Sequence, residues 1–487
     1  MVFFWQKKGS TGLVNVPRAA RTAMSSGLDA MNKGDFEAAI AFFQSAAEAA
    51  PDSAEAYCNL GAALAQAGQY AQAKEAISHA LELHPHWPEG LFALGFVYSL
   101  EGRAEHAIWQ YKEALAGRPD FLDALIGLGR ACFLQGGYEE AESALLKAAK
   151  LSVDNPEIER LLGNVYQRIG RIEAAEMAYV KSVNHAPNEP TAYYDFGCLL
   201  MGTGDYPRAE EMFRKSLMLK EDFSAARNNL GLTLHYQGRH EEAIDVFKEA
   251  LARKGDSAEA HNNLGKTLYH LKRLDEAEAE IRQALEIDPK LSGAWLNLGR
   301  LLQRKGEIDE AVACMRKSLE IEPRRVEAHS DLATLLAGQG HLDDAVASFE
   351  KAISYDPLFV SARKKAAEIY LETGHAAQAA EHLKTVLAQE PGDIAAKYNL
   401  GTALYRIDEV EEALKLFEEV ASEEPTHPYA TTNIGLCLEL LGRDEEAREY
   451  YRKAIESAPE EPWTRKAREG ARRLEKRSSG DDDEGQQ

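Results

Sequence analysis

Apolar residues recur along most of this chain in pairs four positions apart, with polar and charged residues between them. Residues 228–251 read NNLGLTLHYQGRHEEAIDVFKEAL, in which Leu230 and Leu234 form such a pair. A second segment, NNLGKTLYHLKRLDEAEAEIRQAL, contains Leu264 and Leu268 at the same spacing. Side chains four residues apart lie on one face of an α-helix. The pattern therefore predicts amphipathic helices and an all-α chain.

The two segments begin 34 residues apart, and this period extends over most of the chain. If Ala54 is taken as position one, position twenty is alanine in all thirteen units of residues 20–461, with no insertion. Glycine occupies position eight in eleven units and position fifteen in eleven units, and proline closes ten units. Such a fixed period is the sequence signature of a repeat protein. The number of domains therefore cannot be estimated from the usual length of about 150 residues per domain.

Each recurrent position has a steric role. Glycine at position eight and alanine at position twenty allow the two helices of a unit to approach closely, and a bulky residue at position twenty-four, such as Phe213, fills the remaining gap. Glycine at position fifteen suits a left-handed residue after the first helix, with Lys272 and Asp408 as the exceptions. Proline at position thirty-two ends the second helix. Each unit is therefore predicted to be a helical hairpin.

The unit that begins at residue 292 carries a characteristic set of residues: Trp295, Leu298, Gly299, Leu302, Ala311 and Pro323. Their spacing resembles the tetratricopeptide repeat, a 34-residue helix-turn-helix. The resemblance covers residues 20–461 and implies thirteen tandem repeats stacked into an α-solenoid that forms a right-handed superhelix. Stacking is required because a single hairpin cannot bury its apolar face alone.

The chain ends flank this array. We expect residues 1–19 to be an N-terminal extension, 462–477 a basic amphipathic capping helix and 478–487 an acidic disordered tail. The capping segment carries seven basic residues: Arg465, Lys466, Arg468, Arg472, Arg473, Lys476 and Arg477. Two interpretations stay open for this basic face. It is either a solvated surface neutralised by Asp481, Asp482, Asp483 and Glu484, or a docking patch for an acidic partner or anionic lipid.

Composition narrows the partner classes. The 79 acidic and 56 basic residues of this 487-residue chain give a formal charge of −23, which argues against nucleic acid as a partner. No apolar run is long enough to predict a membrane span, and the N-terminal MVFFWQKKGS is too short for a signal-peptide core. We therefore predict a cytoplasmic protein. Val2 to Trp5 form either a frayed terminus or a small anchor for a membrane interface or a partner.

No cofactor or metal site is predicted. The five cysteines are an odd number and include no Cys-x-x-Cys pair, so they indicate neither a disulfide framework nor a thiolate zinc site. His84 and His86 lie near one another without further spaced ligands.

In the tetratricopeptide family, positions two, five, six, nine, twelve and thirteen of the first helices line an inner, concave groove that commonly binds an extended peptide or a partner helix. Position six of this chain carries six asparagines: Asn59, Asn229, Asn263, Asn297, Asn399 and Asn433. An amide side chain can pair with both the C=O and the N–H of a peptide backbone, at about 0.5–1.5 kcal/mol net per hydrogen bond. Further donors and an aromatic surface are expected around the central three: Asn228, Asn262, Lys266, Tyr269, His270, Arg300 and Arg304.

These residues predict a peptide-binding ladder that prefers ligands of some acidic character along units seven to nine. The alternative is that the asparagines only keep a hydrated groove soluble. Asparagine is a poorer helix former than alanine by roughly half a kcal/mol. Its recurrence at one position in spite of this cost favours a role in ligand contact.

The asparagine ladder is similar to the repeat arm of O-linked N-acetylglucosamine transferases, where such residues contact the substrate backbone. Only 26 residues follow residue 461 and 19 precede residue 20, too few for a catalytic domain, so we expect no enzymatic activity. A carboxylate clamp for chaperone tails requires asparagine at position six of its second unit and a basic residue at position six of its third. It is disfavoured here, because the units after Arg160 and Asn164 carry Asp195 and Asn229 at these positions.

Two functions remain. The first is a non-catalytic scaffold that binds a protein, an extended peptide or a second copy of the chain. The second is a substrate-recruiting or targeting subunit of a separate enzyme, such as a glycosyltransferase or a component of secretion or assembly machinery.

Overall fold

The computed structural model describes residues 17–254, 257–427, 429–457, 461 and 464–479. These residues form twenty-seven α-helices, and none of the described ranges contains a β-strand. The chain divides into two compact units, Met1–Arg253 and Lys254–Gln487, each described by itself below. The predicted all-α class is confirmed.

The first unit contains helices α1 to α14, the last of which ends at the unit boundary. Their bounds are α1 (Arg18–Asn32), α2 (Phe36–Ala49), α3 (Ala54–Gln66), α4 (Tyr70–Leu83), α5 (Pro88–Leu100), α6 (Ala104–Gly117), α7 (Leu122–Gln135), α8 (Tyr138–Leu151), α9 (Pro156–Arg168), α10 (Ile172–His185), α11 (Pro190–Gly202), α12 (Tyr206–Leu219), α13 (Ser224–Tyr236) and α14 (His240–Lys254).

The second unit contains helices α15 to α27. Their bounds are α15 (Ala258–His270), α16 (Leu274–Ile287), α17 (Ser292–Lys305), α18 (Ile308–Ile321), α19 (Val326–Gly338), α20 (Leu342–Tyr355), α21 (Val360–Glu372), α22 (Ala376–Gln389), α23 (Ile394–Arg406), α24 (Val410–Glu423), α25 (Ala430–Leu440), α26 (Asp444–Ser457) and α27 (Arg465–Ser479).

Consecutive helices pair as hairpins, and within each unit each hairpin stacks on the next, as in an α-solenoid. The predicted contact between positions eight and twenty-four holds the hairpins together. On α11, a Cβ atom added to Gly197 would lie 2.7 Å from Cε1 of Phe213 on α12, closer than real Cβ contacts allow. Phe213 is fully buried. The glycine is therefore required by the ring that packs against its backbone.

The turn inside each hairpin also agrees with the sequence. Eleven glycines of the described ranges have positive φ, among them Gly68 at 78° and Gly306 at 86°. Lys272 and Asp408 adopt the same left-handed conformation, with φ of 63° and 68°. The backbone thus keeps one turn geometry even where the side chain disfavours it.

The C-terminal helix α27 packs on α25 and α26 through the buried side chains of Ala467 and Leu474. It runs from Arg465 to Ser479, whereas the expected capping segment was 462–477. At the other end, α1 begins at Arg18, inside the expected extension of 1–19. Val2 to Trp5, the first two residues of the expected capping segment (462 and 463) and the acidic residues 481–484 lie outside the described residues.

No helix in the described ranges combines the length and the hydropathy needed to cross a membrane.

Candidate peptide-binding surface

The six position-six asparagines all lie on first helices of hairpins. Asn229, Asn263, Asn297, Asn399 and Asn433 are half-buried, whereas Asn59 is only 4% exposed. Asn229 belongs to the first unit, and Asn263 and Asn297 belong to the second. Asn228 and Asn262, at position five, are also half-buried.

The amide nitrogens of two of these asparagines donate hydrogen bonds to the preceding hairpin. Nδ2 of Asn297 on α17 donates to Oδ1 of Asn262 on α15 at 2.8 Å, a separation of 35 residues. Nδ2 of Asn433 on α25 donates to the hydroxyl of Tyr398 on α23 at 3.2 Å, again 35 residues earlier. In the repeat register, position six of one hairpin thus bonds to position five of the hairpin before it.

Asn229 on α13 makes a related contact in the first unit. Its Nδ2 lies 3.3 Å from Sγ of Cys198 and 3.5 Å from the hydroxyl of Tyr194, both on α11. Burial raises the pKa of the Cys198 thiol to about 11 and raises the pKa of Tyr194 above its usual range. Both groups are therefore protonated at neutral pH, and Cys198 is not a reactive thiolate.

Charged side chains take the place of the asparagine at position six in other hairpins. Arg160 donates to Asp195, 35 residues later, at 2.8 Å, and Arg300 donates to Asp331, 31 residues later, at 2.6 Å. Lys365 donates to the hydroxyl of Thr334 at 2.9 Å. In these hairpins position six therefore links successive first helices, a role that our sequence interpretation missed. The signal was present in the sequence as polar partners 35 or 31 residues from position six.

Asn59 lacks such a bond, because the residue 35 positions earlier is Met24, an apolar side chain. Its buried Nδ2 has no hydrogen-bond partner among the described residues. A ligand can reach this amide only if neighbouring side chains move, so Asn59 is a poor candidate for ligand contact.

All of the residues predicted around the asparagines except Asn228, which is on α13 of the first unit, lie on α15 and α17 of the second unit. The guanidinium of Arg304 lies 5.0 Å from the ring centroid of Tyr269, within the range of a cation–π interaction. Arg304 and His270 are exposed, and Lys266 is half-buried. This surface of α15 and α17 therefore combines amides, cations and an aromatic ring.

One cluster in the first unit has the composition of a metal site. Asp154, Glu159 and His185 each place one ligand atom within 4.8 Å of the others. Nδ1 of His185 hydrogen-bonds to Glu159 at 2.9 Å. This bond raises the pKa of His185 and outweighs the opposite effect of burial. The hydrogen bond explains the proximity without an ion.

Models of tetratricopeptide repeats match most of the chain. Three of them match residues 30–91, 100–165, 256–324, 290–357, 336–398, 370–416 and 398–462. A fourth, the middle TPR-like domain of cilia and flagella-associated protein 70, matches residues 159–270. No curated protein sequence gives a significant match.

Among solved structures, the crystal structure of the APC/C hetero-tetramer Cut9-Hcn1 is similar over 94% of this chain and 97% of that chain. Its sequence identity is 12% and the TM-score is 0.44. The repeat models together extend over both compact units and place the hairpins described above in one family. The chain belongs to the tetratricopeptide repeat proteins.

Proposed function

We propose that this chain is a non-catalytic scaffold that holds an extended peptide or a partner segment along α15 and α17. One observation carries the proposal. The bond from Asn297 to Asn262 uses the donor of one amide and the acceptor of the other. It leaves the NH₂ group of Asn262 and the oxygen of Asn297 for a peptide group, which offers the complementary C=O and N–H.

The charges on the same two helices favour a ligand with acidic residues. Arg300 is paired with Asp331, whereas Arg304 rests against the ring of Tyr269. A guanidinium stacked on a ring keeps its N–H edge available for bidentate bonds to a carboxylate. His270 is exposed beside Tyr269, with ring centroids 5.9 Å apart. We therefore expect a glutamate or aspartate of the ligand near Arg304.

Peptide selection tests this proposal directly. The full-length protein is used to select binders from a displayed random peptide library, and the affinities of selected peptides are measured by fluorescence polarisation. We expect enrichment of acidic residues and a loss of affinity of about 5–10-fold for Asn297→Ala, the size of one hydrogen bond. Arg304→Ala should weaken acidic peptides more than neutral analogues.

Glu286→Ala is the matched control, because Glu286 is exposed on the second helix α16. Selected peptides that bind Asn297→Ala, Arg304→Ala and Glu286→Ala with equal affinity would reject this surface as the binding site.

The targeting function is a narrower form of the same proposal, suggested by the resemblance to the transferase repeat arm. The targeting function requires a catalytic partner that loses substrate selectivity when Asn297 is replaced by alanine. A scaffold function requires a stable complex that contains no catalytic member. We further infer thirteen repeats over residues 20–461, and a groove formed by their first helices. The amide links between successive first helices support this register.

A further inference from the structure

The first unit contains a cavity of about 740 Å³ where the connections α2–α3 and α4–α5 meet. Its wall includes Pro51, Asp52, Glu55, Pro85 and Trp87. It is remote in the sequence from α15 and α17, and its wall is acidic instead of basic. The peptide-binding proposal above does not use it.

Glu55 is the notable charge on this wall. Its carboxyl is half-buried and has no ion-pair partner among the described residues. Burial and then the nearby charge of Glu89 raise its pKa, and His84 lowers it to a smaller extent. Glu89 is itself paired with Arg118 at 2.6 Å, so that guanidinium is already engaged. The wall thus holds a partly desolvated carboxylate that a cation would stabilise.

Aromatic and apolar groups stand beside this carboxylate. Trp87 is half-buried and lies against His84, with ring centroids 6.3 Å apart. An indole face is the strongest cation–π partner among protein side chains. Pro51 and Pro85 provide apolar surface for the methylene groups of a long side chain.

We propose that this cavity binds a lysine or arginine side chain presented by a partner protein, with the cation between the Glu55 carboxylate and the Trp87 indole. An anionic ligand would meet the like charges of Asp52 and Glu55 on the wall, and an apolar ligand would bury Glu55 further without compensation. Charge complementarity therefore selects a basic segment. A partner that binds both proposed sites would present a basic segment to the cavity of the first unit and an acidic segment to α15 and α17 of the second.

Two labelled peptides, Gly-Gly-Arg-Gly-Gly and its glutamate analogue, test this site with the full-length protein at 150 mM salt. We expect the arginine peptide to bind and the glutamate peptide not to bind. Glu55→Gln should weaken the arginine peptide at least fivefold. Glu75→Gln, which removes an exposed carboxylate of the neighbouring helix α4, should leave its affinity unchanged.

The unsubstituted protein provides a second measurement that does not depend on the folding of a variant. Carbodiimide labelling of carboxyl groups, read by mass spectrometry, should show that the arginine peptide protects Glu55 and leaves Glu75 reactive. Equal weakening by Glu55→Gln and Glu75→Gln, or equal labelling with and without peptide, would overturn the proposal. Binding that appears only after Lys7→Gln and Lys8→Gln would also overturn it, because the chain's own lysines would then fill the site.

Discussion

The amide of Asn297 donates to the amide of Asn262 at 2.8 Å, although 35 residues separate them in the chain. Asn433 and Tyr398 repeat the relationship at 3.2 Å. In both pairs a position-six side chain ties its hairpin to the hairpin before it. These two asparagines are therefore structural links, so an alanine substitution at Asn297 should change stability as well as the proposed binding.

A double-mutant cycle at Asn433 and Tyr398 isolates the contribution of such a bond to stability. Asn433→Ala and Tyr398→Phe each remove the same hydrogen bond, so each should lower the free energy of unfolding by about 0.5–1.5 kcal/mol. The double variant should cost little more than either single variant, because the bond can be lost only once. Denaturant unfolding followed by circular dichroism measures all three. Fully additive losses would show that the bond does not stabilise the stack.

Position eight gives a prediction with a control on the same helix. Gly197→Ala should lower stability by about 1–3 kcal/mol, because the new methyl group overlaps the ring of Phe213. Gly202→Ala, at the end of α11, meets no atom within 4 Å and should raise stability by about 0.5–1 kcal/mol. Thermal unfolding of the two variants compares them directly. Equal shifts in both would contradict the steric account.

The position-fifteen turn predicts a stabilising change. Lys272 has a φ of 63°, in the left-handed region that costs a non-glycine residue about 1–2 kcal/mol. Lys272→Gly should therefore raise the free energy of unfolding by about 1 kcal/mol. Gly306→Ala, at the corresponding turn with a φ of 86°, should lower it. Melting temperatures of the two variants that move in the same direction would contradict this prediction.

The sequence predicted the hairpins well because their determinants are local and steric. Positions eight and twenty-four, which are Gly197 and Phe213 in one unit, are sixteen residues apart in every unit. The residue at the turn is fixed by backbone geometry. A 34-residue period therefore reveals both features. The partners of position six are harder to predict, because they change between units. Asn297 bonds to an amide, Asn433 to a phenol and Asp195 to a guanidinium. The period shows that a side chain recurs, but its contacts depend on the previous hairpin.

Asn59 also shows that the contacts of position six depend on the preceding hairpin. It shares its position with Asn297, yet it is 4% exposed and its amide nitrogen is unbonded. The difference arises from Met24, a residue in another hairpin. The cavity beside Glu55 was likewise not predicted, since Glu55 and Trp87 are joined by the stacking of hairpins and not by a motif.

The contact between α27 and α25 makes stability depend on pH through Glu439. Its carboxylate, 8% exposed, accepts bonds from the hydroxyl of Tyr451 at 2.7 Å and from Arg473 at 2.9 Å. Burial alone would raise the pKa of Glu439, but the bonds from Arg473 and Tyr451 outweigh it and hold that pKa below the ordinary 4.5. A depressed folded-state pKa contributes stability at pH values above the unfolded-state pKa, and this contribution is lost as the pH falls through the folded-state pKa.

Glu439→Gln should therefore cost about 1–3 kcal/mol at pH 7 and much less near pH 3. Denaturant unfolding across this pH range measures the difference, with the exposed Glu75→Gln as control; a cost independent of pH would show that Glu439 acts through packing and not through its charge.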